Sequence, residues 1–261
     1  MPLTQQMKDD LAAAYRICAA HGFNEGVCNH LTISFTDERA SRGSASLVIA
    51  HGWDWSEVTA ERLLVFDNHT GKVLEGAPGA ELELTAFQIH SALHLHASAV
   101  QSHAVVFHTH MPYATALTSL APPHGRLAMC NQNHMRFHGD AVSYDDEYHG
   151  LVEGHDEGRR LAAVLGDGRV LCLRNHGVLV AAATIAEAWD DLYYLERACM
   201  NQVLAMQTGA PLQVVDEATC ARTKAAQLRD HMREGGYAQK HFDAQARIHP
   251  PPQASVPHAS L

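Results

Sequence analysis

Two apolar stretches meeting at a histidine, VLCLRNHGVLVAA over residues 170–182, constrain the fold of this chain more than any other segment. The runs on either side of Asn175-His176-Gly177 are short, apolar on consecutive residues and bounded by turn-forming residues, so they read as two buried strands. AVVFHT at 104–109 reads the same way. HLTISFTD (30–37) and SLVIA (46–50) are further short strands. The apolar runs around DNHTG in ERLLVFDNHTGKVLEG form a hairpin, because those turn residues tolerate left-handed backbone.

Helical spacing takes over elsewhere. Residues 8–21 place Leu11, Ala14, Tyr15 and Cys18 on one face, with Asp9 and Asp10 at the favourable N-terminal end and Gly22 as the stop. From Glu81 onward, Leu82, Ala86, Ile89, Leu93 and Ala97 recur at helical intervals and predict a helix of about four turns. Thr184 with Glu187 three residues on is a capping box, opening a helix that runs to Gly209. A last helix covers 216–234. The closing ARIHPPPQASVPHASL is proline-rich and aperiodic, so residues 241–261 are expected to be a flexible tail behind one domain spanning 1–240.

With 261 residues, 46% of them apolar, the chain can bury one full core. A net charge of −10 with only 18% charged residues argues against nucleic acid or an anionic membrane as partner. No apolar stretch reaches the roughly 18 residues of a membrane span, and MPLTQQMKDD lacks the basic flank and apolar run of a secretory signal. The expected location is cytoplasmic. Cys18, Cys28, Cys130, Cys172, Cys199 and Cys220 form no CxxC pair and read as reduced, mostly core residues.

Histidine is the compositional outlier, at 20 residues. At that density about 1.5 His-x-His pairs arise by chance, so the two present carry no weight from spacing alone. Context says more. His108 and His110 close an apolar strand, and residues i and i+2 of a strand face the same way. His176, between two apolar strands and followed by a glycine, is the best-placed third ligand for an open three-histidine metal site. The residues alone leave a second reading open, in which these are ordinary histidines satisfied by hydrogen bonds.

Four motifs in order, EGVCNHLTIS, HTHMPYATAL, RNHGVLV and TIAEAWDDLYYLERAC, resemble the class II aldolase/adducin-head family over about residues 8–210. The resemblance implies a single α/β domain, an α/β/α sandwich around a mostly antiparallel central sheet. It implies a homotetramer with active sites between subunits, and one divalent metal ion (Zn, Mn, Co or Fe) on His108, His110 and His176. It also makes Asn29 and Thr32, in the loop by which family aldolases hold the anionic end of their substrate, candidates for substrate contact.

The pattern breaks where those aldolases carry a carboxylate, since Ala86 stands four residues ahead of His90. Matching PGAE to their Pro-Ser-Ser-Glu loop gives the catalytic role to Glu81, with Glu83 a further possibility, and puts Gly79 and Ala80 where phosphate-binding serines belong. A phosphorylated sugar is therefore disfavoured. Trp53 and Trp55 are read as core residues or as an aromatic pocket, while Arg136, His138 and Tyr148 suit a carboxylate clamp and an acid/base relay. The leading expectation is a metal-dependent carbon–carbon lyase, an aldolase or decarboxylase acting on a small, possibly aromatic, hydroxy or oxo acid. The alternatives are a non-haem Fe(II) oxygenase that oxidatively decarboxylates an aryl pyruvate, as in the aminocoumarin branch that these motifs also resemble, and a non-catalytic module like the adducin head.

Overall fold

In the computed structural model, residues 1–96, 103–152, 154–231 and 235–252 are described. The chain opens with α1 (Gln5–Ala20), whose N-cap Thr4 accepts from the Met7 amide, and whose Leu11, Ala14, Tyr15 and Cys18 are fully buried. The strands β1 (His30–Thr36), β2 (Ser44–Ile49), β3 (Leu63–Asp67) and β4 (Val73–Glu75) follow, then α2 (Leu84–His94), β5 (Val105–Thr109), α3 (Pro112–Thr118) and α4 (Gln132–Met135). The second half contains β6 (Val142–Asp145), α5 (His155–Leu165), β7 (Val170–Leu173), β8 (Gly177–Ala182), α6 (Ile185–Met206), α7 (Glu217–His231) and α8 (Tyr237–Ile248).

The strands form one sheet in the order β4-β3-β2-β1-β5-β8-β7-β6. Among these eight strands β6 and β7 pair in parallel and every other neighbouring pair is antiparallel. Alternation along the central strands divides the core in two. Val105 and Phe107 of β5, Val170 and Cys172 of β7, and Val178 and Val180 of β8 pack in the cluster that contains α1 and α6 residues. Val106, Leu171, Leu173 and Leu179 turn the other way, against Ile89 and Leu93 of α2 and Leu161 and Leu165 of α5. The sheet is thus sandwiched between helices on both faces, which is why β7 and β8 are apolar on every residue.

Several details differ from expectation. The helix predicted from Glu81 begins at Leu84, because Glu83 leaves the helix and caps it, accepting from the Ala86 amide. Its predicted end at Ala97 lies outside the described residues. The tail boundary at 241 falls inside α8: Ala238 and Phe242 are buried, His241 Nδ1 meets Asp190 Oδ1 at 2.5 Å, and Arg16 Nε donates to the His249 carbonyl. Few apolar side chains are buried by this helix, and polar contacts help fix it. Residues 253–261 of the tail lie outside the described residues. Cys18, Cys172, Cys199 and Cys220 are buried thiols as expected, while Cys28 is exposed.

Candidate metal centre

The site is assembled by the pairing of β5 with its two neighbours. His108 sits opposite His30 of β1 and Leu179 of β8, and its parity with Val106 turns it toward the α2/α5 side of the sheet. His110 lies just past the end of β5. His176 occupies the tight turn between β7 and β8, where Asn175 adopts a φ of 55°. A Cβ at Gly177 would lie 2.5 Å from the Thr109 carbonyl oxygen and 2.8 Å from His110 Cδ2, so only glycine lets this turn close on the end of β5.

The three imidazoles converge. Their ring centroids are 5.0, 4.8 and 4.7 Å apart, and one potential ligand atom from each lies within 4.8 Å of the others. His108 Nδ1 donates to the Val178 carbonyl at 3.0 Å, which leaves the Nε2 lone pair to face the cluster. His110 Nδ1 is held by the Glu25 carboxylate, and its Nε2 is buried without a hydrogen-bond partner. Burial, then the neighbouring His176 and His110, pushes His108 well below its ordinary pKa; burial and His110 bring His176 down to about 4. Neutral rings with inward lone pairs are the form in which histidine binds a metal, so the residues present fit a divalent cation.

Behind the triad a buried row of polar side chains fixes ring orientations. His30 stacks on His108 at 6.1 Å, and its Nε2 donates to Glu83 at 3.0 Å. Burial alone would raise the Glu83 pKa, but hydrogen bonds from His30, the Thr85 hydroxyl and the Ala86 amide outweigh it and hold the carboxylate at about 2. Deeper in, the Thr32 hydroxyl lies 2.7 Å from both His90 Nδ1 and His94 Nε2. His94 Nδ1 faces the His103 carbonyl at 2.8 Å and must carry the proton, and burial holds the ring neutral with a pKa of about 4. Thr32 therefore donates to His94 Nε2, the weaker competitor being the Val106 carbonyl at 3.3 Å. A hydroxyl has one proton, so His90 donates through Nδ1 to Thr32.

Thr32→Val should leave the Nδ1–H of His90 without an acceptor in a site of 0% exposure, lowering stability by about 1–3 kcal/mol. Thr32→Ser, which keeps the hydroxyl, should restore most of it. Urea unfolding measures both, and a valine variant as stable as the parent would contradict this hydrogen-bond assignment.

The triad opens into a cavity of about 580 Å³. Asn29, Glu83 and Tyr148 line it together with His108, His110 and His176. Asn29 also accepts from the His110 amide through Oδ1 at 3.2 Å, its own φ of 72° bringing it close. Six residues singled out from sequence lie elsewhere. Glu81 is exposed and absent from the lining, with only its carbonyl engaged, by the His51 amide. Thr32 is sealed into the histidine row. Arg136 is buried on the α6 side, paired with Asp190 at 2.8 Å and stacked over Tyr194 at 4.4 Å, so it braces helices. His138 pairs with Glu217. Trp55 is a core residue packed edge-on against Tyr15, and Trp53 stacks under Arg62 in a separate groove. Sequence reasoning missed Glu25 as the partner of His110 and Thr115, whose buried hydroxyl has no partner and lines the cavity. It saw in His30 only the first residue of a strand, because its place opposite His108 depends on strand register.

Comparison with known proteins places the fold and sequence in a known family. Residues 9–203 match the family model described as class II aldolase and adducin N-terminal domain. A Caulobacter vibrioides protein named as an aldolase class 2 protein is 33% identical over 204 residues, 78% of this chain and 74% of its own length. Decarboxylase NovR of Streptomyces niveus is 30% identical over 222 residues, 85% of this chain and 77% of its own. The structure of L-fuculose 1-phosphate aldolase from Glaciozyma antarctica PI12 superposes with a TM-score of 0.78 at 26% identity, covering 95% of this chain and 94% of that one.

Proposed function

This chain belongs to the class II aldolase and adducin N-terminal domain family, and on that footing we propose that it is a metal-dependent carbon–carbon lyase, an aldolase or decarboxylase, acting on a small hydroxy or oxo acid. One observation carries the reading: three imidazoles, one with an orphaned Nε2, converge at the wall of a cavity that also holds a carboxylate. An adducin-like assembly role requires none of these. Class II aldolases use a divalent metal, and here His108, His110 and His176 would hold it. A cation bound there would supply Lewis-acid chemistry to a hydroxy or oxo acid.

The protein's own groups do the rest. Glu25 orients His110 through Nδ1, the carboxylate–histidine arrangement that fixes a ligand's tautomer. Asn29 and Thr115 offer hydrogen bonds to the substrate's polar end. The carboxylate role expected of Glu81 passes to Glu83, which is inside the cavity and keeps its negative charge beside the His30 N–H. Held at about 2, Glu83 is a weak proton acceptor, which suits bond cleavage by loss of CO2, where the resulting carbanion needs a proton donor. Tyr148, 52% exposed at the cavity, is the donor within reach of solvent. The active form is a homotetramer with sites between subunits, and light scattering at micromolar concentration should return the mass of four chains. A monomer there would count against shared sites.

The activity test is a panel of hydroxy and oxo acids assayed for CO2 and for aldol fragments, with Zn(II), Mn(II) or Co(II), with and without O2. Turnover is expected under nitrogen, with moderate differences among metals. Strict dependence on Fe(II) and O2 would replace the lyase reading by oxidative decarboxylation, since Zn(II) has no redox chemistry. Inactivity with every metal would move the assignment to an assembly module.

A further inference from the structure

The walls of the cavity say what the far end of the substrate is. We propose, building on the lyase reading above, that the site takes a hydroxy or oxo acid whose non-reacting end is an uncharged apolar group, an aryl or branched alkyl side chain, and that it rejects a phosphorylated one. Glu25 and Glu83 are the acidic side chains of the lining, and neither lysine nor arginine occurs among the described residues that form it. A phosphate monoester, carrying close to two negative charges, would enter beside two carboxylates with no lysine or arginine of this chain's described lining to pair with. The glycine and alanine at 79 and 80 lie in a different groove, with Trp53 and Arg62, and bring no cation to this cavity.

The apolar surface is placed to serve instead. Ile89 on α2 and Val152 beyond β6 are 1% and 6% exposed and continue the core to the cavity wall. Val27 before β1 and Leu151 after β6 are 42% and 82% exposed and line the same cavity. Bulky apolar side chains gathered at one polar site mark a surface that a ligand covers. The chelating end of the acid meets the imidazoles, Asn29 and the unpartnered Thr115 hydroxyl, and the side chain lies against Val27, Ile89, Leu151 and Val152.

Three α-hydroxy acids that differ only at carbon 3 test this on the full chain loaded with Mn(II): lactate, 3-phenyllactate and 3-phosphoglycerate, titrated by calorimetry. Phenyllactate should bind at least about ten-fold more tightly than lactate, and 3-phosphoglycerate more weakly than lactate. Leu151→Gln, at an exposed position that folding tolerates, should shrink the phenyllactate-to-lactate ratio several-fold. Equal affinity for lactate and phenyllactate, or tighter binding of 3-phosphoglycerate, would overturn the inference while leaving the metal-bound hydroxy acid intact. Binding of none of the three to a protein that retains Mn(II) would instead defeat the hydroxy-acid reading itself, and this inference with it. A Leu151→Gln protein with unchanged ligand preference and a lower solution mass would assign the apolar rim to a second copy of the chain.

Discussion

His108→Ala is expected to lower divalent-cation affinity by more than about 100-fold, because losing even a group that merely orients a ligand costs about 10–100-fold. His108 is the most buried of the three candidate ligands, and its hydrogen bond to Val178 aims Nε2 at the other two rings. Removing it leaves two donors on a loop and a turn, without the one held inside the sheet. The fold should survive: the ring contributes one side-chain hydrogen bond, of about 1 kcal/mol, while β5 keeps its backbone ladder with β1 and β8. Metal titration alongside circular dichroism separates the two effects. Glu25→Gln should fall between variant and parent, since it weakens His110 without deleting it. Stoichiometric metal in the alanine variant, with native helix content, would show that the three histidines are not the ligands.

Mild acid should destabilise the protein strongly even with chelator present. His94 and His134 are buried, and burial brings both down to about 4. Their unfolded value is about 6.5, so between pH 6.5 and 4 the unfolded chain binds protons that the folded chain refuses. The stability these two rings leave intact is therefore complete above pH 6.5 and is lost as the pH falls toward 4. At pH 5 each accounts for about 2 kcal/mol, or about 4 together, a large share of a typical domain's stability. His90 is displaced in the same direction by burial and by the adjacent His30 and His94. Urea midpoints at pH 7 and pH 5 measure the sum, and His134→Gln should flatten part of the difference. Midpoints that coincide at the two pH values would mean that these rings are not held neutral.

The strands and main helices were legible because their signals are local. Consecutive apolar residues at 104–109 and 170–182 announce a covered sheet, and Thr184 with Glu187 fixes the start of α6 within one residue. What escaped depends on distant partners. α8 has only Ala238 and Phe242 to bury and is anchored by His241 to Asp190, a contact no periodicity encodes. The site was half legible for the same reason. His108 and His110 share a strand end and His176 a turn, but the row from Glu83 through His30 to Thr32 exists because β1 pairs with β5 in a particular register. Glu81 and Glu83 lie two residues apart, and only the cap of α2 decides which one turns inward. Arg136 looked available for a carboxylate ligand; the carboxylates it meets are Asp190 and Asp191, supplied by the family motif on α6 itself.

The close approach at Gly177 has a kinetic consequence. The turn carrying His176 is drawn against the end of β5 by backbone packing, so the three nitrogens are gathered by the sheet's own hydrogen-bond ladder. A cation arriving there has little chain to order, and one leaving releases little. A metal bound at such a centre would exchange without unfolding the chain, so the occupant would track whichever suitable divalent ion its surroundings supply, and chelators would strip it without acting as denaturants.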